Sequence, residues 1–199
     1  MTVLAQDIWR PVELYGGAIA AQFPNRFVDV SDFRPVPDHQ EVWADGASDQ
    51  SIVVEIAEHS DVPDSNVGRF MFDDLAVANE ASSSSIADIK QLGTAEVPHI
   101  QQGTYICFVS GTQQACKGRD AGLDRANTVQ LLLCIIRLPQ HSSDLLVTVN
   151  APSYISPSSS AAQHADAQGQ QAAAAGQAAA VMQGVLRSLK VQDWGLFGA

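Results

Sequence analysis

The sequence predicts an α+β domain in which a mainly antiparallel sheet is covered by helices. Three observations carry this. Short runs rich in β-branched and apolar residues are each closed by Gly, Pro or polar clusters; two of them, at 127–138 and 145–150, are joined by a polar link of hairpin length; and two other segments repeat apolar residues at helical spacing. With 199 residues, 46% of them hydrophobic and 17% charged, the chain is long enough for one domain with a sizeable core, and two full domains are not expected.

Residues 12–21 (VELYGGAIAA) read as two extended pieces meeting at a Gly16-Gly17 hairpin turn. Strands follow at 41–44 and 51–57, and Ile52, Val53, Val54 and Ile56 give the second the apolar density of an interior strand. Residues 65–79 are helical, with Val67, Phe70, Met71, Leu75 and Val77 near one stripe and Asp64 or Ser65 placed to cap it. The serine run at 82–85 leads through Ile86 and Ile89 to a short turn, and 104–110 (TYICFVS) is a strand that Gly111 ends. Strands 127–138 and 145–150 complete an antiparallel meander.

From 156 to about 176 the chain is rich in Ser, Ala and Gln and lacks bulky apolar residues. It cannot bury enough surface to offset its ordering entropy, so a mobile insert is expected there, within a single domain spanning 1–199. Ala178, Val181, Met182, Val185, Leu186 and Leu189 then follow helical spacing and define a C-terminal helix that covers the sheet. Its Ala-rich upstream end leaves the start of that helix the least defined boundary.

The net charge of -11 is unevenly placed: residues 1–100 hold 17 Asp and Glu against 5 Lys and Arg, whereas residues 101–199 hold 5 against 6. Such a field repels nucleic acid and anionic lipid and steers a basic protein partner, although acidity also serves simply to keep a domain soluble. No basic leader with an apolar core opens the chain and no apolar run reaches roughly 18 residues, so a soluble intracellular protein, monomeric on its own, is expected. Three cysteines without CxxC spacing argue against a disulfide framework; Cys107 and Cys134 lie in apolar strands as packing residues, and Cys116 beside Lys117 has the more reactive setting.

Motifs for chemistry are missing. There is no GxxxxGK(S/T) loop, the GxSxG pattern is broken because Phe108 precedes Val109 and Ser110, and the histidines are scattered without metal-ligand spacing, so neither cofactor nor metal is expected. His39, His59, His99, His141 and His164 read as surface side chains; His39 alone has a second reading, as a proton-sensing group within an acidic turn. Asp73-Asp74 and the pair Glu55 and Glu58 read more simply as solvated charges than as acid and base, and Phe70, Phe72 and Leu75 as core.

The acidic turn is the most informative stretch. Asp29, Asp32, Asp38 and Glu41 surround Pro35 and Pro37, which fix their own φ and bias Arg34 and Val36 away from helix. In a continuous strand Asp38 and Glu41 would fall on opposite faces, whereas a turn at 38–40 lets both carboxylates point one way. Trp43 just beyond reads as core, with an aromatic anchor as the alternative.

With ELYGGA at 13–18, FVDVSDFRPVPDHQEV at 27–42, DQSIVVE at 49–55, LPQHSSDLLV at 138–147 and DWGLF at 193–197, in order along the chain, the sequence resembles the Mog-type Ran guanine nucleotide release factors of nuclear transport. The resemblance implies an α/β (α+β) three-layer sandwich, shared with photosystem PsbP proteins, whose twisted, mainly antiparallel sheet lies between helices. It implies binding to the small GTPase Ran, release of Ran's guanine nucleotide without bond chemistry, and residence in nucleus and cytoplasm. The acidic pair that the resemblance assigns to Ran binding falls on Asp38 and Glu41, with Asp29, Asp32 and Arg34 as flanking contacts, though Asp29 and Asp32 equally suit a local turn cap and Arg34 an ion pair with them. The alternatives are an acidic adaptor that binds Ran or another basic protein without driving exchange and, from fold likeness alone, a photosynthetic accessory protein.

Overall fold

The computed structural model describes residues 7–115, 127–154 and 167–198. Ten strands run through these parts: β1 (Trp9–Leu14), β2 (Ile19–Pro24), β3 (Val28–Asp29), β4 (Gln40–Asp45), β5 (Gln50–Glu58), β6 (Ser83–Leu92), β7 (Ile106–Ala115), β8 (Asn127–Leu138), β9 (Ser143–Tyr154) and β10 (Lys190–Val191). Two α-helices accompany them, α1 (Asp64–Ala78) and α2 (Ala167–Ser188). The strands form a three-stranded sheet ordered β1-β2-β10 and a seven-stranded sheet ordered β3-β4-β5-β9-β8-β7-β6, with antiparallel pairing in both.

Period-two alternation on β8 shows why there are three layers. Leu132, Cys134, Ile136 and Leu138 face one core, while Leu131, Leu133 and Ile135 face another. A strand buried on both faces needs a cover on each. The small sheet and α2 cover the first face, where Phe23, Trp43, Val181 and Val185 pack; α1 covers part of the second through Val67, Met71 and Phe72. Each such side chain stabilises the fold by about 1.5–3 kcal/mol on full burial.

Most elements lie where the sequence places them, and the exceptions have physical causes. The α1 stripe consists of Val67, Gly68, Met71 and Phe72 with Leu75 half-buried, whereas Phe70 and Val77 are exposed. At 100° per residue, 67, 71 and 75 share a face with 68 and 72, and 70 and 77 turn away from it. No side chain caps α1: Pro63 occupies the cap position and the Asp64 carboxylate is drawn to Arg137 instead. The expected turn after the serine run is β6, a mostly exposed edge strand whose polar residues hide its strand character. Nor does Gly111 end β7. It lies mid-strand, buried where the Phe72 ring and the Ser85 backbone approach too closely for a Cβ, so the glycine is there for packing.

The expected mobile insert also needs correction. Residues 167–176 already belong to α2, in keeping with alanine's helix propensity; residues 155–166 lie outside the described residues, as do Cys116 and His164. Ala178, Val181, Met182, Val185, Leu186 and Leu189 are all buried, as their spacing requires.

Candidate partner-binding site

The acidic turn joins β3 to β4, and its backbone is tied down along its length. Val30 N–H donates to Val42 O at 2.9 Å; Phe33 and Arg34 N–H donate to Val30 O at 2.9 and 3.1 Å; and Gln40 N–H closes a tight turn on Pro37 O at 2.9 Å. A turn is therefore present ahead of β4, and Asp38 sits exposed at its tip. Asp29 Oδ1 accepts from Ser31 N–H at 2.8 Å, which gives Asp29 the local-cap role. Asp32 is exposed, while Arg34 turns its exposed side chain to the lining of a groove described below.

Glu41 is in a different environment. It pairs with Val54 of β5 and shares a face with Trp43, so its half-buried side chain points toward the small sheet. There Glu41 Oε1 accepts from Tyr15 N–H at 2.6 Å. Tyr15 opens the β1–β2 turn, in which Tyr15, Gly16 and Gly17 all have positive φ (51°, 63° and 94°). Two glycines tolerate this; Tyr15 does so because its whole length is held. Its hydroxyl lies 2.9 Å from His39 O and 2.8 Å from Val54 O, so it ties the tip of one hairpin to the start of β4. Burial first, then the charges of Glu41 and Glu55, push the Tyr15 phenol well above its ordinary value, so it stays a proton donor.

Glu55, opposite Gln40, faces the other side of the sheet. Gln40 Nε2 donates to Glu55 Oε2 at 3.0 Å and His39 Nε2 lies 3.9 Å from Glu55 Oε1. Burial, partly offset by His39 and Gln40 and reinforced by Asp74, raises the Glu55 carboxyl above its ordinary value. The β4 end thus carries Asp38 at its tip, Glu41 on one face and Glu55 on the other. Tyr15 and Glu55 were not legible as site residues. Tyr15 gave a signal only as a bulky residue before a Gly-Gly turn, and Glu55, expected with Glu58 as a solvated charge, is instead half-buried against Gln40 and His39.

A second polar cluster sits where β8 ends and β9 begins, two residues along β5 from Glu55 in the register. Arg137, 4% exposed, donates from Nη1 to Asp64 Oδ1 and Val62 O, each at 2.7 Å, and from Nη2 to Ser60 O. Its Nη2 also meets His59 Nε2 at 3.1 Å; a guanidinium only donates, so His59 Nε2 accepts and Nδ1 carries the proton toward Asp144 Oδ1, 2.7 Å away. With both ring nitrogens engaged, His59 joins Arg137 to Asp144, and the cluster is a structural tie. It also corrects the surface reading of the histidines: His59 is half-buried here, and His141 stacks on Trp194 with ring centroids 5.0 Å apart. His39 and His99 are exposed, and Trp43 is core at 7% exposure.

Among the described residues, no group of three or more His, Cys, Asp or Glu is placed to hold a metal, and no helix is long and apolar enough to cross a membrane. Cys107 and Cys134 are buried, and burial raises both thiols. What the geometry offers is recognition: a fixed, exposed acidic edge.

Comparison with known proteins bears on what that edge meets. The sequence model of the family described as "Ran-interacting Mog1 protein" matches residues 12–152. The chain is 35% identical to the Ran guanine nucleotide release factor of Danio rerio over 93% of this chain and 98% of that one, and 34% identical to that of Homo sapiens over 72% and 76%. In structure it is similar to the Saccharomyces cerevisiae Ran-binding protein Mog1p, with a TM-score of 0.68 at 27% identity, covering 97% of this chain and all of the other. Cyanobacterial PsbP from Synechocystis shares the fold alone, at 10% identity and a TM-score of 0.54 over 94% and 95% of the two chains. A family match over residues 12–152 and relatives this similar along most of both chains establish that the protein belongs to the family of Ran-interacting Mog1 proteins.

Proposed function

We propose that this protein binds Ran and promotes release of its guanine nucleotide, in support of nuclear protein import, and that Asp38 and Glu41 are the residues through which it does so. The observation that carries the reading is the exposed, backbone-fixed acidic turn in a chain whose relatives are named Ran guanine nucleotide release factors and nuclear import proteins. An edge built in advance loses little entropy on binding.

No bond is made or broken. A release factor works by linkage: it binds nucleotide-free Ran more tightly than loaded Ran, and by reciprocity lowers nucleotide affinity by the same factor. Weakening the nucleotide ten-thousandfold takes a preference of about 5.5 kcal/mol for the empty state. Asp38 and Glu41 supply part of it by engaging Lys or Arg near the nucleotide, in charge-assisted hydrogen bonds that compete with phosphate or disturb magnesium coordination. The fold's ties suit this role. Glu41 already bonds Tyr15 through Oε1, which leaves its remaining lone pairs for a cation and fixes their direction.

The test is release of a fluorescent guanine nucleotide from Ran, with wild type, Asp38→Arg and Glu41→Gln. Asp38 is exposed and Gln retains the acceptor that Tyr15 needs, so both variants leave the fold intact. Acceleration by wild type that each variant weakens supports the reading. Binding without acceleration makes the protein an adaptor.

A further inference from the structure

α1 covers the β6–β7 side of the large sheet and leaves the β4–β5 side of the same face open. A groove of about 650 Å³ lies there, floored by Val42, Val53, Val129 and Leu131. Clefts of this size accept ligands. We propose that this groove, with Phe33 on its rim, is a further part of the Ran-binding surface and receives an apolar segment of Ran while Asp38 at the turn tip holds a basic residue of Ran. The inference rests on the Ran-binding reading given above.

Continuity is the first argument. Phe33, Arg34 and Gln40 line the groove, and they belong to the same loop and strand start that present Asp38, whereas Glu41 faces the opposite side of β4. A protein seated on the turn tip therefore lies over the rim. Preorganisation is the second. Phe33 is 77% exposed and Val28 48%, yet the Phe33 backbone is fixed by its bond to Val30 O, and Val30 in turn by Val42 O. An exposed aromatic on a rigid turn gives up little freedom when covered, the setting in which interface residues contribute most.

Charge selects the occupant. The groove runs along β4 and β5, with Arg34 and Asp49 among its lining residues and, beyond the lining, Glu55 on the same face opposite Gln40 and Asp38 at the turn tip. An apolar floor whose acidic surroundings are Asp38 and Glu55 at the β4 start fits an apolar segment with a basic residue beside it at that end. A second copy of this chain, at net charge -11, would be repelled.

The experiment is calorimetric titration of nucleotide-free Ran at two salt concentrations, using wild type, Phe33→Ala, Val53→Ser, Asp38→Arg and, as a control for an equally exposed apolar residue outside the groove, Ile8→Ala; all are checked for folding by circular dichroism. Phe33→Ala and Val53→Ser should each weaken binding by about tenfold or more with the salt dependence unchanged, Asp38→Arg should weaken binding and flatten its salt dependence, and Ile8→Ala should match wild type. If both groove variants bind within about twofold of wild type while Asp38→Arg fails, the turn alone binds Ran and the groove proposal is overturned with the function intact. Wild type that does not bind Ran at all removes both readings. Self-association of wild type that Phe33→Ala abolishes assigns the groove to a second copy and overturns the proposal as well.

Discussion

Glu41 both holds the fold and, on this account, meets the partner, and two substitutions separate these roles. Glu41→Ala removes the acceptor 2.6 Å from Tyr15 N–H and leaves a strained, left-handed residue with an unpaired donor. A bond to a charged acceptor contributes about 1.5–3 kcal/mol, and for a chain of this size each kcal/mol moves the midpoint by about 2–4 °C, so a fall of roughly 3–12 °C is expected. Glu41→Gln keeps an oxygen at the same place and should lose less than about 1.5 kcal/mol, the neutral-bond value. Nucleotide release from Ran should fall in both variants, because both lack the charge. Thermal unfolding followed by circular dichroism, beside the release assay, reads the two effects separately. If Glu41→Ala melts with wild type, the Tyr15 bond contributes nothing to stability; if Glu41→Gln releases nucleotide as fast as wild type, the carboxylate is not a recognition element.

Two further outcomes follow from the buried charges. Arg137→Met leaves Asp144, fully buried, without its cation, and breaking such a pair costs about 3–5 kcal/mol; a midpoint lower by roughly 6–20 °C is expected, and a change within about a degree would refute the structural role. Burial alone would raise the Asp45 carboxyl, but the Ser48 hydroxyl, Ala47 N–H and Arg26 together hold it below its ordinary value. A depressed carboxyl stabilises the fold above its unfolded pKa and loses that contribution as pH falls through the folded one. Asp45→Asn should therefore be less stable than wild type at neutral pH, with the gap closing below about pH 4 in denaturant titrations; a gap that persists at low pH contradicts the assignment.

What the sequence showed and what it hid divide along physical lines. The β8 strand was legible because a continuous apolar run buried on both faces has no rival reading at that length, and the apolar positions of α2 because their helical spacing is unbroken. β6 was hidden because an exposed edge strand carries no alternation to read, and Gly111 misled because a glycine that admits a neighbouring ring looks, in sequence, like one that ends a strand. At the site, the prolines marked the acidic turn, and the family resemblance singled out Asp38 and Glu41 within it. Tyr15 and the groove did not, since both depend on contacts between residues far apart in the chain: Tyr15 with His39 and Val54, and β4 and β5 with β8 and β9. The direction of Glu41 likewise waited on register, because one residue's slip would have turned it to the opposite face.

In the proposed mechanism, release is driven by a preference for empty Ran. The most direct measurement is the affinity of this protein for nucleotide-free Ran beside its affinity for Ran loaded with GDP or GTP, all at one salt concentration. Far tighter binding to the empty form is expected, by the same factor by which saturating protein weakens Ran's hold on the nucleotide. Equal affinity for empty and loaded Ran would contradict it and leave an acidic adaptor.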